Sequence, residues 1–358
     1  MFLKFITGDI VSKKVVISGY YGFKNFGDEA VLTVLTSKLK TFGCEITVLS
    51  SDPDWTMQTY NVKSSKTFDI KSVLTEVKNA DILISGGGSL LQDVTSIKSL
   101  IYYISVILLA LILKKQVIIF AQGIGPISNC LARFIVMKIL KRCTYVSVRD
   151  VKSLELLKKY GIDADLVCDP VYSLETPKIN KDNAIGIQLR DFKTMNVNFI
   201  NHLAMNIVRV FPDKAIRVFS LQDNMDLNWC KCFIKSVKVI APDTDIELIS
   251  GRTNQEIITE ISKVEYLIAM RFHAIITALK ASVKSLAINY DIKVETLAHE
   301  ADIPYISLTD FSDFKEKFSA LKNEDAAHLE NFVESAKFNW DEIIMLCRSE
   351  QLPAKSGL

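Results

Sequence analysis

Histidine is scarce in this 358-residue chain, four in all, and the seven cysteines are odd in number and scattered. Their one close pair, Cys230 and Cys232, has neither a zinc spacing nor the look of a disulfide framework, which fits a reducing cytoplasm. No cluster of His, Cys and carboxylates offers a metal set, and no serine or cysteine sits in a nucleophile elbow. Neither sign of charge dominates: 43 basic residues stand against 41 acidic ones, for a net charge of +2. No Lys/Arg run interleaved with aromatics marks a nucleic-acid groove, so any anion site must be local. The opening "MFLKFITGDIVSKK" lacks the apolar core and cleavage site of a secretory leader. The one long apolar run, Leu100 to Leu113, is 14 residues and stops at Lys114 and Lys115. A spanning helix needs roughly 18 to 20 residues. The run therefore reads as a buried core helix, with a contact at a membrane surface as the alternative.

What the chain does contain is 49% hydrophobic and 23% charged residues, the composition of a folded, core-rich protein. Its length predicts two domains of roughly 150 to 180 residues. Short β-branched runs alternate with helix-length amphipathic segments, the signature of parallel sheets with crossover helices. The first half predicts six strands: "VVIS" (15–18), "ITVLS" (46–50), "ILIS" (82–85), "VIIFA" (117–121), "YVSV" (145–148) and "LVC" (166–168). A polar stretch around "SLETPKINKDN" breaks the pattern. Six more strands follow: "AIGIQL" (184–189), "IRVFSL" (216–221), "IELIS" (246–250), "YLIAM" (266–270), "SLAINY" (285–290) and "YISL" (305–308). The expected organisation is an α/β chain of two Rossmann-like, doubly wound domains facing a cleft. These are residues 1–172 and 184–310, with a linker at 173–183. Residues 311–358 form a helical tail anchored by Phe314, Phe318, Phe332 and Trp340.

Ligands of open parallel sheets sit at the carboxyl ends of the strands, so the chemistry is sought there. "VVIS" runs into "GYYGFKNFGDEAV", whose Gly22 and Gly27 have a P-loop spacing. Asp28 and Glu29 stand where Lys and Ser/Thr would meet phosphate, which rules out a P-loop. An acid in a helix's first turn is favourable in itself; the functional reading makes Asp28 a base or orienting group for a hydroxyl. "ILIS" ends in "GGGSLLQD", where Gly86, Gly87 and Gly88 permit close backbone approach to a ligand and Gln92 follows. "VIIFA" delivers Gln122, a neutral hydrogen-bonding side chain at the lip of a sharp turn. "YVSV" delivers Arg149, either an ion-pair partner of Asp150 or a bidentate grip for an anion. In the second half "AIGIQL" delivers Arg190, "YLIAM" delivers Arg271 and His273, and "SLAINY" leads to Lys293. A helix start flanked by Arg271, His273 and Lys293 is a concentrated anion site.

At these residues the chain resembles the polysaccharide pyruvyl transferase family, and within it the CsaB-like bacterial cell-wall branch. The resemblance rests on "ISGYYGFKNFGDEAVL", "ISGGGSLLQDVTSIKSLIYY", "AQGIGPI", "VSVRDVKSLELLKKYGI", "MRFHAIITAL" and "NYDIKVETL", in family order from about residue 15 to 300. It departs from the family pattern at Ala269, where Gly is usual, at Ile292, where Pro is often found, and at Ser282-Val283-Lys284.

The resemblance implies a GT-B-like architecture and transfer of a pyruvyl group from phosphoenolpyruvate to a sugar, as a ketal. The acceptor it implies is a lipid-linked cell-wall polysaccharide precursor at the inner face of the membrane. It matches Arg149, His273 and Lys293 to residues of phosphoenolpyruvate binding and catalysis. Asp28, Glu29 and Gly86 to Gly88 match the acceptor-side motifs. No cofactor is expected, phosphoenolpyruvate being a co-substrate. On this reading His273 is the acid and Asp28 the base, with Arg149 catalytic and Arg271, Arg190 and Lys293 binding the donor. Glu29, the three glycines, Gln92 and Gln122 complete the substrate contacts. The rival reading is a GT-B glycosyltransferase that places a nucleotide-sugar diphosphate on the same cations.

Overall fold

The computed structural model describes residues 12–94, 96–323, 327–336 and 338–348. The opening stretch read above as lacking a leader falls largely outside them.

The chain runs β1 (Lys14–Ser18), α1 (Phe26–Thr41), β2 (Glu45–Ser50), α2 (Pro53–Tyr60), β3 (Lys63–Lys66), α3 (Ile70–Asn79) and β4 (Ile82–Gly86). It continues through α4 (Ile97–Ile112), β5 (Gln116–Gln122), α5 (Cys130–Leu140), β6 (Tyr145–Val148), α6 (Val151–Lys159) and β7 (Asp165–Leu166). The second series is β8 (Ala184–Gln188), α7 (Val197–Val210), β9 (Ala215–Phe219), α8 (Asp223–Ile240), β10 (Ile246–Ile249), α9 (Asn254–Lys263) and β11 (Tyr266–Ala269). It closes with α10 (Phe272–Lys280), β12 (Lys284–Asn289), α11 (Ile292–Glu300), β13 (Tyr305–Ser307), α12 (Phe314–Asn323), α13 (Ala327–Ser335) and α14 (Asp341–Arg348).

The first sheet is parallel throughout, in the order β3-β2-β1-β4-β5-β6-β7. It has seven strands where the sequence predicts six. The added edge strand, β3, reads KSSK. The last, β7, keeps two residues, one earlier than predicted. The central strands are buried on both faces, which is why they read as unbroken Val/Ile/Leu runs rather than alternating ones. Helix α4 sends Leu100, Tyr103, Val106, Ile107 and Ala110 into this core, as the buried-helix reading requires. No helix among the described residues is long and apolar enough to cross a membrane. Side-chain caps fix the helix starts: Asp52, Asp69, Ser96, Asn129 and Asp150 each accept from a backbone N–H of the first turn. Each such cap is worth about 1 kcal/mol.

The second sheet is also all parallel, in the order β10-β9-β8-β11-β12-β13, with six strands as predicted. Its core gathers Phe199, Leu203, Phe233, Ile268, Leu286 and Ile306. Phe314 and Phe318 of α12 close it, their rings 5.9 Å apart.

Two compact units result. Among the described residues, one comprises those within 12–23, 28–170 and 338–348; the other, those within 24–27 and 171–336. The tail is thereby divided. Phe332 lies edge-on to Tyr172 within the second unit, whereas Trp340 packs 5.5 Å from Phe120 within the first.

Candidate active site

In the first unit the strand order reverses between β1 and β4, the position where parallel sheets leave a crevice beyond their strand ends. Close packing of backbone on side chain draws the residues there together. Gly88 has a φ of +65°, and a Cβ on it would lie 2.7 Å from Asp28 Oδ1. A Cβ on Gly86 would lie 2.8 Å from the Tyr21 hydroxyl, which donates to the Gly86 carbonyl at 2.8 Å. Gly123 backs onto the Ser89 hydroxyl and the Asp150 carboxylate. Arg149 reaches the same place: Nη2 donates to Ser89 Oγ at 3.4 Å and Nη1 to Asp169 Oδ2 at 2.5 Å. Burial, and next the negative Asp28, push the phenols of Tyr21 and Tyr103 well above their ordinary pKa. Both therefore remain neutral donors beside that carboxylate.

The second unit reverses its strand order between β8 and β11. The adjacent strands β8, β11 and β12 deliver Arg190, then Arg271 and His273, then Tyr290 and Lys293. Arg190 Nη1 donates to the Tyr290 hydroxyl at 3.0 Å, its guanidinium lies 5.2 Å from that ring's centroid, and its buried Nε makes no hydrogen bond. His273 stands in the first turn of α10, its Nδ1 2.0 Å from where a Cβ on Gly27 would be. Lys293 is half-buried in the first turn of α11, its backbone N–H held by the Asp291 cap. Cations beside a helix start form a field suited to a small, multiply charged anion.

Three residues read from the sequence as substrate ligands are already committed inside the fold. Arg271 is buried in a two-pronged ion pair, Nε to Asp226 Oδ2 at 2.9 Å and Nη2 to Oδ1 at 2.6 Å, with Gln222 and Asn25 accepting as well. Its charge is balanced within the unit, which makes it a group that positions α10 rather than a free anion receptor. Glu29 is buried, accepting from Gly22 N–H at 2.8 Å and the Tyr60 hydroxyl at 2.7 Å. It holds the glycine turn in shape. Gln122 is buried and donates Nε2 to both the Ser85 carbonyl and hydroxyl at 2.9 Å, tying β5 to β4. Gln92 caps its own turn, accepting from Val94 N–H. Arg149 pairs with Asp169, and the neighbouring Asp150 caps α6 through Ser153.

Asp169, Asp226, Ser89 and Tyr290 thus join the site's surroundings without having been singled out by sequence reasoning. Asp169 stood in view at the end of "LVCD", just past a predicted strand. Asp226 is an acid in the first turn of α8, a place that gives no sequence sign of its partner.

These two sheets, each carrying its polar residues at the carboxyl ends of its strands, define an α/β protein of the GT-B class. Solved structures agree at the level of the fold. The UDP-GlcNAc 2-epimerase from Methanocaldococcus jannaschii superposes with a TM-score of 0.62 at 12% identity, over 90% of this chain and 99% of that one. Anabaena HepE, solved with UDP-glucose, gives 0.63 at 8% identity over 94% and 98%. A glycosyltransferase from Rickettsia africae gives 0.61 at 12% identity over 94% and 96%. No curated protein matches the chain in sequence. A family model described as polysaccharide pyruvyl transferase matches residues 25–292, and the chain belongs to that family. It is accordingly a transferase that modifies polysaccharide.

Proposed function

We propose that the chain transfers the pyruvyl group of phosphoenolpyruvate to two hydroxyls of a sugar in a polysaccharide precursor, forming a cyclic ketal and releasing phosphate. The observation that carries this reading is the delivery of Arg190, His273 and Lys293 by three neighbouring strands of the second sheet. Phosphoenolpyruvate bears a carboxylate and a phosphate on one three-carbon frame, and needs cations of that density. The first unit offers the complementary chemistry: Asp28, neutral phenols, and glycines that admit a polar, uncharged ring.

One sugar hydroxyl adds to the central carbon as the methylene becomes methyl, taking up a proton. Phosphate leaves through an oxocarbenium-like carbon, and the second hydroxyl closes the ketal. Of the two protons the hydroxyls lose, one ends on the methyl carbon and one on phosphate. His273 is the acid in this scheme, and Asp28 accepts from the hydroxyls. Arg190 and Lys293 hold the donor, and Arg149 donates from the acceptor edge.

Mass spectrometry of a sugar acceptor incubated with protein and phosphoenolpyruvate tests the proposal by the appearance of one added pyruvate. His273→Ala should slow phosphate release by about a hundredfold or more. Turnover of UDP-glucose without pyruvate addition would instead assign glycosyl transfer.

A further inference from the structure

A second feature of the first unit lies on the helical face formed by α3, α4 and α5. Between α3 and α4 runs a groove of about 410 Å³, lined chiefly by Phe68, Ile70, Leu74, Tyr102, Val106 and Leu109. Its rim is open to solvent: Phe68 is 66% exposed and Ile70 84%. The apolar surface continues across Ile101 of α4 to Leu131 and Phe134 of α5, 58%, 67% and 52% exposed. Isolated apolar residues on a surface are ordinary, but a run over three adjacent helices marks an interaction site.

Charge identifies the occupant. From Val94 to Val148 the chain has no Asp or Glu but seven Lys or Arg, in a protein whose net charge is only +2. Lys98, Lys114, Lys138, Lys141 and Arg142 are exposed, and Lys138 Nζ lies 4.6 Å from the Phe134 ring centroid. Of the nearby acids, Asp69 caps α3, Glu76 accepts from Ser65, and Asp93 holds the Ser128 and Asn129 amides. Two copies of such a face would set cations against cations. An anionic bilayer, with phosphates over the lysines and hydrocarbon beneath the apolar side chains, satisfies both halves.

We propose that this face docks on an anionic lipid surface, with the groove between α3 and α4 receiving a lipid hydrocarbon chain. Association is peripheral, since none of these helices spans. It requires nothing of the chemistry proposed above, and its test reads binding alone.

The full chain is floated with vesicles of phosphatidylcholine, or of phosphatidylcholine with phosphatidylglycerol. It should rise with the anionic vesicles and be released as salt increases. Lys98→Gln together with Lys138→Gln should weaken binding about tenfold or more, and Ile101→Asp with Phe134→Asp should abolish it. Should the latter pair fail to fold, Leu74→Trp supplies the apolar test, the fluorescence of the introduced indole being quenched by brominated acyl chains. Equal binding to both vesicle types, no binding, no quenching of that indole beyond what the unsubstituted chain shows, or a dimer dispersed by Phe134→Asp would each overturn the proposal.

Discussion

A methyl group at Gly27 would lie 2.0 Å from His273 Nδ1, so the absence of a side chain in the first turn of α1 is what lets the imidazole occupy its place. Gly27 is not among the residues of positive φ, and alanine is favoured over glycine in a helix by about 1 kcal/mol. Gly27→Ala therefore leaves the backbone content and shifts the ring. The expected result is a protein that still folds, the gain in helix propensity offsetting part of the overpacking cost of about 1–3 kcal/mol, and that releases phosphate at least tenfold more slowly, by analogy with a displaced acid–base group. Phosphate release at the wild-type rate would show that the ring's position is immaterial. The pairing is the more telling because Gly27 belongs to the short 24–27 segment grouped with the second unit.

At the scale of elements, the loops after β4 and β5 are stitched into one ledge. Gly123 N–H donates to the Gly88 carbonyl, Gly125 N–H to the Leu91 carbonyl, and Asp93 N–H to the Pro126 carbonyl. The Asp93 carboxylate completes the seam by accepting from Asn129 N–H at 2.8 Å and Ser128 N–H at 2.9 Å. Those hydrogen bonds, that of Asn129 foremost, hold its pKa below the ordinary value. A carboxyl depressed in this way stabilises the fold above its unfolded pKa, and the contribution fades as pH falls through the lower folded value. NMR titration of Asp93 should give a midpoint below about 3.9. In Asp93→Asn, whose amide turns a donor toward one of the two N–H groups, the Ser128 and Asn129 amides should exchange faster. A midpoint at or above the free value would dismiss the seam.

The same elements explain what could be read in advance. The central strands announce themselves because burial on both faces writes continuous β-branched runs into the chain. β3 does not, since KSSK pairs at an edge on the strength of β2 alone. The polar residues at the strand ends were visible one by one. Their commitments were not, because Arg271 finds Asp226 at a separation of 45 residues and Arg149 finds Asp169 at 20. Periodicity reports which face is buried; it carries no information on which charge meets which.

For the whole molecule, the division of the tail makes a prediction that neither unit makes alone. α12 belongs to the second core, but residues 338–348 rejoin the first unit. There Phe338 and Trp340 pack on Phe120, with centroids 5.2 and 5.5 Å away, and Ile343, Leu346 and Cys347 are buried. The neighbouring thiol of Cys44, the residue before β2, and burial together raise the Cys347 pKa. Removing a buried tryptophan costs about 3–5 kcal/mol, a large part of the roughly 5–15 kcal/mol by which a domain is stable. Trp340→Ala, and more so deletion of residues 338–358, should therefore loosen the first sheet selectively. Hydrogen exchange is the measurement: amides of β4 and β5 should lose protection while those of β8 and β11 keep theirs. Equal loss in both sheets would mean that the units unfold as one and that the tail is not the private fastening of the first.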